Sequence, residues 1–261
     1  MDGVNKTLYI PLYGKALVSQ KGIILQDIKA EEVWEKVQFP LKRKSKSKWL
    51  AYFMGMRSAV FDKWTKEKMA QNKNAVVLHL GCGLDSRVLR VKNATHTWFD
   101  VDFESVIEER KHYYNETQLY RMLAGDIRDS AFIQTLPSKN RAIVVLEGVS
   151  MYLSNEELKN MIANLNEKFT HLCVLVDCYT PFAVKMSKLK NPVKEVGVSK
   201  LYSIENPAIL EENTGIKFLQ ELEIAPKYLV DELQGLERFI FKSIYAGKTS
   251  KRLYKLYEYE S

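Results

Sequence analysis

The chain is short of cysteine, has no close cysteine pair and contains no long apolar run, and each absence removes a class of protein. Its three cysteines, Cys82, Cys173 and Cys178, lie on or beside expected buried strands. An odd number at such positions argues against a disulfide framework or a cysteine zinc site and predicts reduced, structural thiols with no bound metal. No apolar stretch reaches the roughly 20 residues that span a bilayer. Met1 to Leu17 also lacks the apolar core and small-residue cleavage site of a secretory signal. The expectation is a cytoplasmic protein with no membrane partner. Internal repeats are missing too. What remains is 261 residues, 46% hydrophobic and 27% charged, enough to bury one sizeable core. It divides into a helical cap over residues 1–70 and a second unit over 71–261.

Acidic charge is in deficit, with 32 acidic against 39 basic residues and a net charge of +7, which permits an anionic partner without requiring one. Much of the excess sits in the run Lys42 to Lys48. That run has no interleaved aromatics for base stacking, so a solvated loop is favoured over a nucleic-acid patch.

The first seventy residues carry helical periodicity, and the rest alternates short apolar runs with amphipathic stretches, the pattern of a mostly parallel sheet in an α/β protein. Strands are predicted over Ala75 to Leu80, Thr97 to Val101, Leu119 to Leu123, Ala142 to Leu146, Leu172 to Asp177, Lys217 to Leu222 and Arg238 to Tyr245. The last two lack a clear intervening helix and are expected to pair antiparallel at an edge. Helices are predicted over Phe103 to Tyr114 and Ser154 to Phe169, the second opened by the capping box Ser154 and Glu157. In the helix from Trp49 to Trp64, Arg57 interrupts an otherwise apolar stripe. A buried guanidinium is costly unless paired, so it is either a structural ion pair or a fork for a carboxylate or phosphate.

The first strand runs into Gly81-Cys82-Gly83-Leu84-Asp85-Ser86-Arg87. Two residues without Cβ allow a sharp bend and let a ligand lie against main-chain N–H groups, while Asp85 and Ser86 open a helix. Ligands of open α/β sheets bind beyond the carboxyl ends of the strands, and acids stand at those ends. Asp100 and Asp102 lie 19 and 21 residues beyond Gly81, suited to ribose hydroxyls. Asp126 follows the third strand and Glu147 the fourth. A dinucleotide is the rival ligand, but Ser86 replaces the third glycine of G-x-G-x-x-G, and the acids would repel a pyrophosphate. S-adenosylmethionine, with ribose hydroxyls, an exocyclic amine, an ammonium and no phosphate, fits that charge pattern. Its carboxylate would need a cation, for which Arg57 is the candidate.

These blocks resemble the leucine carboxyl methyltransferase family, in the branch that includes polyketide O-methyltransferases. Gly81 to Arg87 matches the family's G-A-G-L-D-T-R, Phe99 to Asp102 its F-E-V-D, Asp126 to Arg128 its D-L-R, and Glu147 to Leu153 its E-G-L-L-M-Y-L. Arg57 with Asp62, and the lead-in from Tyr9 to Ala30, extend the match over most of the chain. Two departures are visible: Cys82 stands for alanine, and Asp27 to Ala30 lacks the proline of D-P-x-A. The resemblance implies a class I S-adenosylmethionine-dependent methyltransferase, a Rossmann-like seven-stranded sheet with the last strand antiparallel and an N-terminal helical cap. It further implies that Gly81, Cys82 and Gly83 face the methionine, Asp102 (with Asp100 beside it) the ribose, Asp126 and Ile127 the adenine, Glu147 the ammonium, and Arg57 with Lys15 the carboxylate.

Methyl transfer from a sulfonium is an in-line displacement that needs alignment and exclusion of water more than a base. His79 and His171 read as packed or capping residues, His96 and His112 as peripheral, and Tyr152 as either an acceptor-pocket or a core residue. Pro181 to Glu212, interrupted by Pro192, Gly197 and Pro207, is expected to cover the acceptor with the cap. Three functions stay open: O-methylation of a small-molecule carboxylate or hydroxyl, methylation of a protein C-terminus or a modified tRNA base, and a non-catalytic cofactor-fold interaction protein.

Overall fold

A computed structural model describes residues 5–42, 44–137, 140–187 and 200–261. Residue 43 of the basic run, and Pro192 and Gly197 of the expected lid, lie outside the described residues.

One sheet of seven strands forms: β1 (Val76–Leu80), β2 (Trp98–Asp102), β3 (Tyr120–Ala124), β4 (Arg141–Leu146), β5 (His171–Tyr179), β6 (Lys217–Leu222) and β7 (Tyr254–Glu260). Their order is β3-β2-β1-β4-β5-β7-β6. The pairs from β3 across to β5 are parallel, and β7 runs antiparallel to both β5 and β6. β1, β4 and β5 read as apolar runs rather than alternating ones because both sheet faces are covered.

Six strands lie where the sequence places them, and the seventh does not. The predicted strand Arg238 to Tyr245 is helical, a short α-helix over Gly235–Ile240 followed by a π-helical stretch over Phe241–Tyr245. Phe241 and Tyr245 stack on each other at the i, i+4 spacing, and they pack on Tyr52 and Trp49 of the cap. Their aromatic content therefore serves a helix, not a strand. The true seventh strand, Tyr254–Glu260, looks too charged for an interior position. Its charges are paired: Lys255 with Glu221 at 2.8 Å, Glu258 with Lys68 at 2.7 Å and Glu260 with His171 at 2.9 Å.

Three helices precede the sheet, α1 (Tyr9–Gln20), α2 (Ile28–Val37) and α3 (Lys48–Gln71). Asp27 caps α2 by accepting from the Ala30 N–H at 2.9 Å. Between and after the strands come α4 (Arg87–Arg90), α5 (Glu104–Lys111), α6 (Ser130–Thr135) and α7 (Asn155–Lys168), the last with both arms of the expected capping box formed. Alternate strand residues feed two cores. Val77, Ile143 and Val145 join Leu12, Val33 and Phe61 of the first three helices, while Val76, Leu78 and Val144 join Leu158, Ile162 and Leu165 of α7. Each fully buried aliphatic or phenyl group contributes roughly 1.5–3 kcal/mol, so α1 to α3 are anchored to the sheet rather than loosely appended.

Candidate active site

A cavity of about 710 Å³ opens beyond the carboxyl ends of the strands, between the sheet and the first helices. Lys15, Arg57, Gly81, Cys82, Gly83, Asp102, Asp126, Ile127, Glu147 and Tyr152 all line it, although they come from six separate stretches of sequence. Asp100 does not.

The floor is the turn after β1. Gly81 has φ +67°, and a Cβ there would lie 2.4 Å from a methyl of Val149; Gly83 has φ +51°. Side chains rarely adopt such backbones, so the turn needs glycine at both positions. The Gly83 N–H donates to Asp102 Oδ2 at 2.8 Å, and the Phe103 N–H donates to Oδ1 at 2.8 Å. Burial raises the Asp102 pKa against the opposing pull of these two donors. Cys82 is buried, which pushes its thiol well above the usual range and keeps it an inert packing group.

Above the floor stands a buried ion network. Arg57 donates to Glu147 Oε1 through Nε at 3.1 Å and to Asp177 Oδ2 through Nη1 at 2.9 Å. Arg87 donates to the other oxygen of Glu147 and, through Nε, to Asp62 at 2.8 Å. Ser58 adds a third donor to Glu147 at 2.9 Å. Burial pushes the Glu147 pKa up, but the guanidiniums of Arg87 and Arg57 outweigh it and hold the carboxyl at about 2. Lys15 pairs with Asp85 at 3.0 Å, and Arg90 ties Asp85 to Asp27 and Asp62 at 2.6 to 2.7 Å. Asp85 and Arg87 thus form the frame that joins the glycine turn to α3.

Of the two acids on β2, only Asp102 reaches the cavity. The expectation that Asp100 sits beside the ribose site gives way to a different placement: it is fully buried beneath the turn. His79, Trp98 and Tyr120 donate to it at 3.0, 2.9 and 2.8 Å, and Arg110 pairs with it. Asp126 is bidentately held by Arg128, at 2.9 and 2.5 Å, which lowers its pKa.

Asp177, Tyr179 and Tyr254 are additions from the structure. Asp177 lies within β5 and accepts from Gly148 N–H at 2.7 Å and from the Tyr254 hydroxyl at 2.7 Å. The predicted strand Leu172 to Asp177 already ends on this acid, so the rule that acids near strand ends matter applies to it directly. Tyr254 opens a strand whose charged sequence does not read as an interior one. Lys48, from the basic run, is engaged by Glu237 at 2.7 Å and lies over the Trp49 ring. Among the described residues, His171, Cys173 and Glu260 form a group with metal-ligating atoms. It lies at the opposite end of β5, and both nitrogens of His171 are taken up by Glu260 and the Ser261 carbonyl. No helix among the described residues is long and apolar enough to cross a membrane.

The tetracenomycin polyketide synthesis O-methyltransferase TcmP of Streptomyces glaucescens is 28% identical to this chain over 243 residues, covering 92% of the chain and 90% of the relative. The S-adenosyl-L-methionine-dependent methyltransferase dpfgK of Gibberella zeae is 23% identical over 252 residues, covering 87% and 85%. The fold is shared with magnesium protoporphyrin IX methyltransferase from Synechocystis, solved with bound SAH, at a TM-score of 0.53 and 12% identity over 88% of this chain and 93% of that one. The leucine carboxyl methyltransferase family matches residues 5–166, more than half of the sequence and every block that builds the cavity up to Glu147, and this chain belongs to that family.

Proposed function

We propose that the protein is an S-adenosylmethionine-dependent O-methyltransferase acting on a small molecule. The observation that carries this reading is the convergence of Gly81, Gly83, Asp102, Asp126, Glu147 and Arg57 on one cavity beyond the strand ends. The donor set suits the cofactor. The Gly81 position admits no Cβ because the Val149 side chain packs against it, so glycine there holds the floor of the cavity in shape. Asp102 suits ribose hydroxyls, Asp126 with Ile127 the adenine, and Glu147 the methionine ammonium. Oε2 of Glu147 receives one donor, from Arg87, and retains a lone pair for another. Arg57 and Lys15 supply positive charge for the methionine carboxylate. Pyrophosphate fits poorly against so many carboxylates.

When bound, the cofactor supplies an electrophilic methyl on a sulfonium. The chain's own residues bind it, orient the acceptor in line and exclude water. The cap helices supply Leu8, Ile10, Leu50 and Met54 to the cavity wall, an apolar lining suited to a compact organic acceptor. Isothermal titration with S-adenosylmethionine, S-adenosylhomocysteine and NAD tests the reading. Binding of both adenosyl ligands and none of NAD is the expected result; no heat with either adenosyl ligand overturns it. Replacing Lys42, Lys44 and Lys46 with glutamine is expected to leave turnover unchanged, whereas a salt-sensitive loss would favour a tRNA or protein acceptor.

A further inference from the structure

Two features of the chain serve neither the core nor the cavity, and the fold brings them together. The first is an apolar row on the helix over Gly235–Ile240 and its π-helical continuation over Phe241–Tyr245. Phe241 and Tyr245 face inward onto Tyr52 and Trp49. Leu236, Phe239 and Ile244 do not, and they are 72%, 70% and 53% exposed. Leu236 and Phe239 stand three residues apart and share one side of the helix. The wider i→i+5 turn of the π stretch carries Ile244 closer to that side than an α-turn would. Scattered single apolar residues are ordinary on a surface, but a row of large ones marks a face that is covered in use.

The second feature is the basic run Lys42 to Lys48. Its end is fastened to the same helix, because Lys48 pairs with Glu237 at 2.7 Å and Trp49 stacks on Tyr245 with centroids 5.5 Å apart. Lys42, Lys44 and Lys46 are exposed, and the helical segment adds exposed Arg238, Lys242 and Lys248. The acids nearby are already engaged: Glu237 by Lys48 and Tyr52, Asp231 by Lys227, and Glu232 by the Ile24 N–H. Among the described residues, none of those six cations is held in an ion pair. The apolar row therefore lies beside uncompensated positive charge.

That combination selects what covers the face. A second copy docked through the same patch would set these cations against their own equivalents. A nucleic acid would engage the cations, but Leu236 and Ile244 offer no ring on which a base can stack. An anionic bilayer uses both parts, its headgroups meeting the ammonium and guanidinium groups and its acyl boundary receiving the apolar side chains. We propose that residues 235–248 and the basic run form a docking surface that holds the protein reversibly on anionic lipid, with Leu236, Phe239 and Ile244 inserted at the interface and the lysines at headgroup level. The expectation of no membrane partner rests on the lack of a spanning segment, and a helix lying on the surface needs none. The attachment is weak and salt-dependent, since three side chains bury little apolar area and surface charges act over only about 10 Å at 0.1 M salt.

Sedimentation with vesicles tests this, using phosphatidylcholine alone and phosphatidylcholine mixed in equal parts with phosphatidylglycerol. The wild type is expected to pellet with the anionic vesicles and not with phosphatidylcholine, and high salt is expected to release it. Leu236→Ser combined with Phe239→Ser should lower partitioning roughly tenfold or more. Joint replacement of Lys42, Lys44 and Lys46 by glutamine should lower it roughly 10- to 100-fold at low salt. Both variants should keep the wild-type thermal midpoint, because every changed side chain is exposed. A wild type that stays in the supernatant overturns the proposal. Binding left unaltered by the double serine variant also overturns it, as that is the adhesion expected of any basic protein. A wild-type dimer in gel filtration that this variant turns into a monomer assigns the face to a second copy instead. Tighter binding of a single-stranded oligonucleotide than of anionic vesicles assigns it to nucleic acid.

Discussion

Arg57, from the middle of a cap helix, donates through Nε to Glu147 at the end of β4 over 3.1 Å, with both side chains buried. The same guanidinium holds Asp177. One residue thus joins the cap to two neighbouring strand ends, and the cavity wall and the fold share an ion network. Removing a partner from such a network leaves a buried charge uncompensated, which costs about 3–5 kcal/mol. Arg57→Ala is therefore expected to lower unfolding stability in urea by that amount. Arg57→Lys should recover part of it, as a point charge cannot span both carboxylates. A change within about 0.5 kcal/mol, the usual effect of a surface substitution, would show that the network does not carry stability.

Gly81→Ala and Gly22→Ala separate conformational strain from collision. Both positions have nearly the same φ, +67° and +66°, but a Cβ at Gly81 meets Val149 while one at Gly22 meets nothing within 4 Å. Gly22→Ala should cost about 1–2 kcal/mol, the left-handed penalty alone. Gly81→Ala should cost more and abolish detectable S-adenosylmethionine binding by titration. Equal thermal midpoints and retained binding would mean that Val149 moves aside freely.

The two acids of β2 are expected to fail in different ways. Asp102→Asn keeps an acceptor for one of the Gly83 and Phe103 N–H groups, so the fold should hold while cofactor affinity falls roughly tenfold or more. Asp100→Asn weakens a buried site that satisfies Arg110, His79, Trp98 and Tyr120. It should lower the melting temperature markedly. Paired calorimetry of both variants would reveal a reversed pattern if the assignment of roles were wrong.

Glu147 and Asp100 are held at about 2, against ordinary values of 4.5 and 3.8. A depressed folded-state pKa contributes stability that is complete above the unfolded value and is lost as pH falls toward the folded one. The thermal midpoint is therefore expected to drop between about pH 4.5 and 2. Asp102 and Asp177, whose carboxyls burial raises, act with the opposite sign and soften the drop. Glu147→Gln should flatten the acid limb; an unaltered slope would point to other carboxylates.

Much of this protein is legible in its sequence because the signals are local. Apolar runs place six strands, glycine at Gly81 and Gly83 marks a turn in left-handed backbone, and Ser154 with Glu157 opens α7 through a contact three residues apart. The charge chemistry of the site is legible as well, since acids near strand ends depend only on where strands stop. Long-range pairing is not legible. The charges of Tyr254–Glu260 disguise an interior strand until Lys68, Glu221 and His171 are brought beside it, and the aromatics of Phe241–Tyr245 imitate a strand until Trp49 and Tyr52 offer a surface for a helix. Asp100 and Asp102 are two residues apart with the same chemistry, and only tertiary packing separates them, because His79, Trp98, Tyr120 and Arg110 enclose one and leave the other facing the cavity. Local conformational preference acts within a few residues along the chain; the worth of a buried charge depends on partners that only folding supplies.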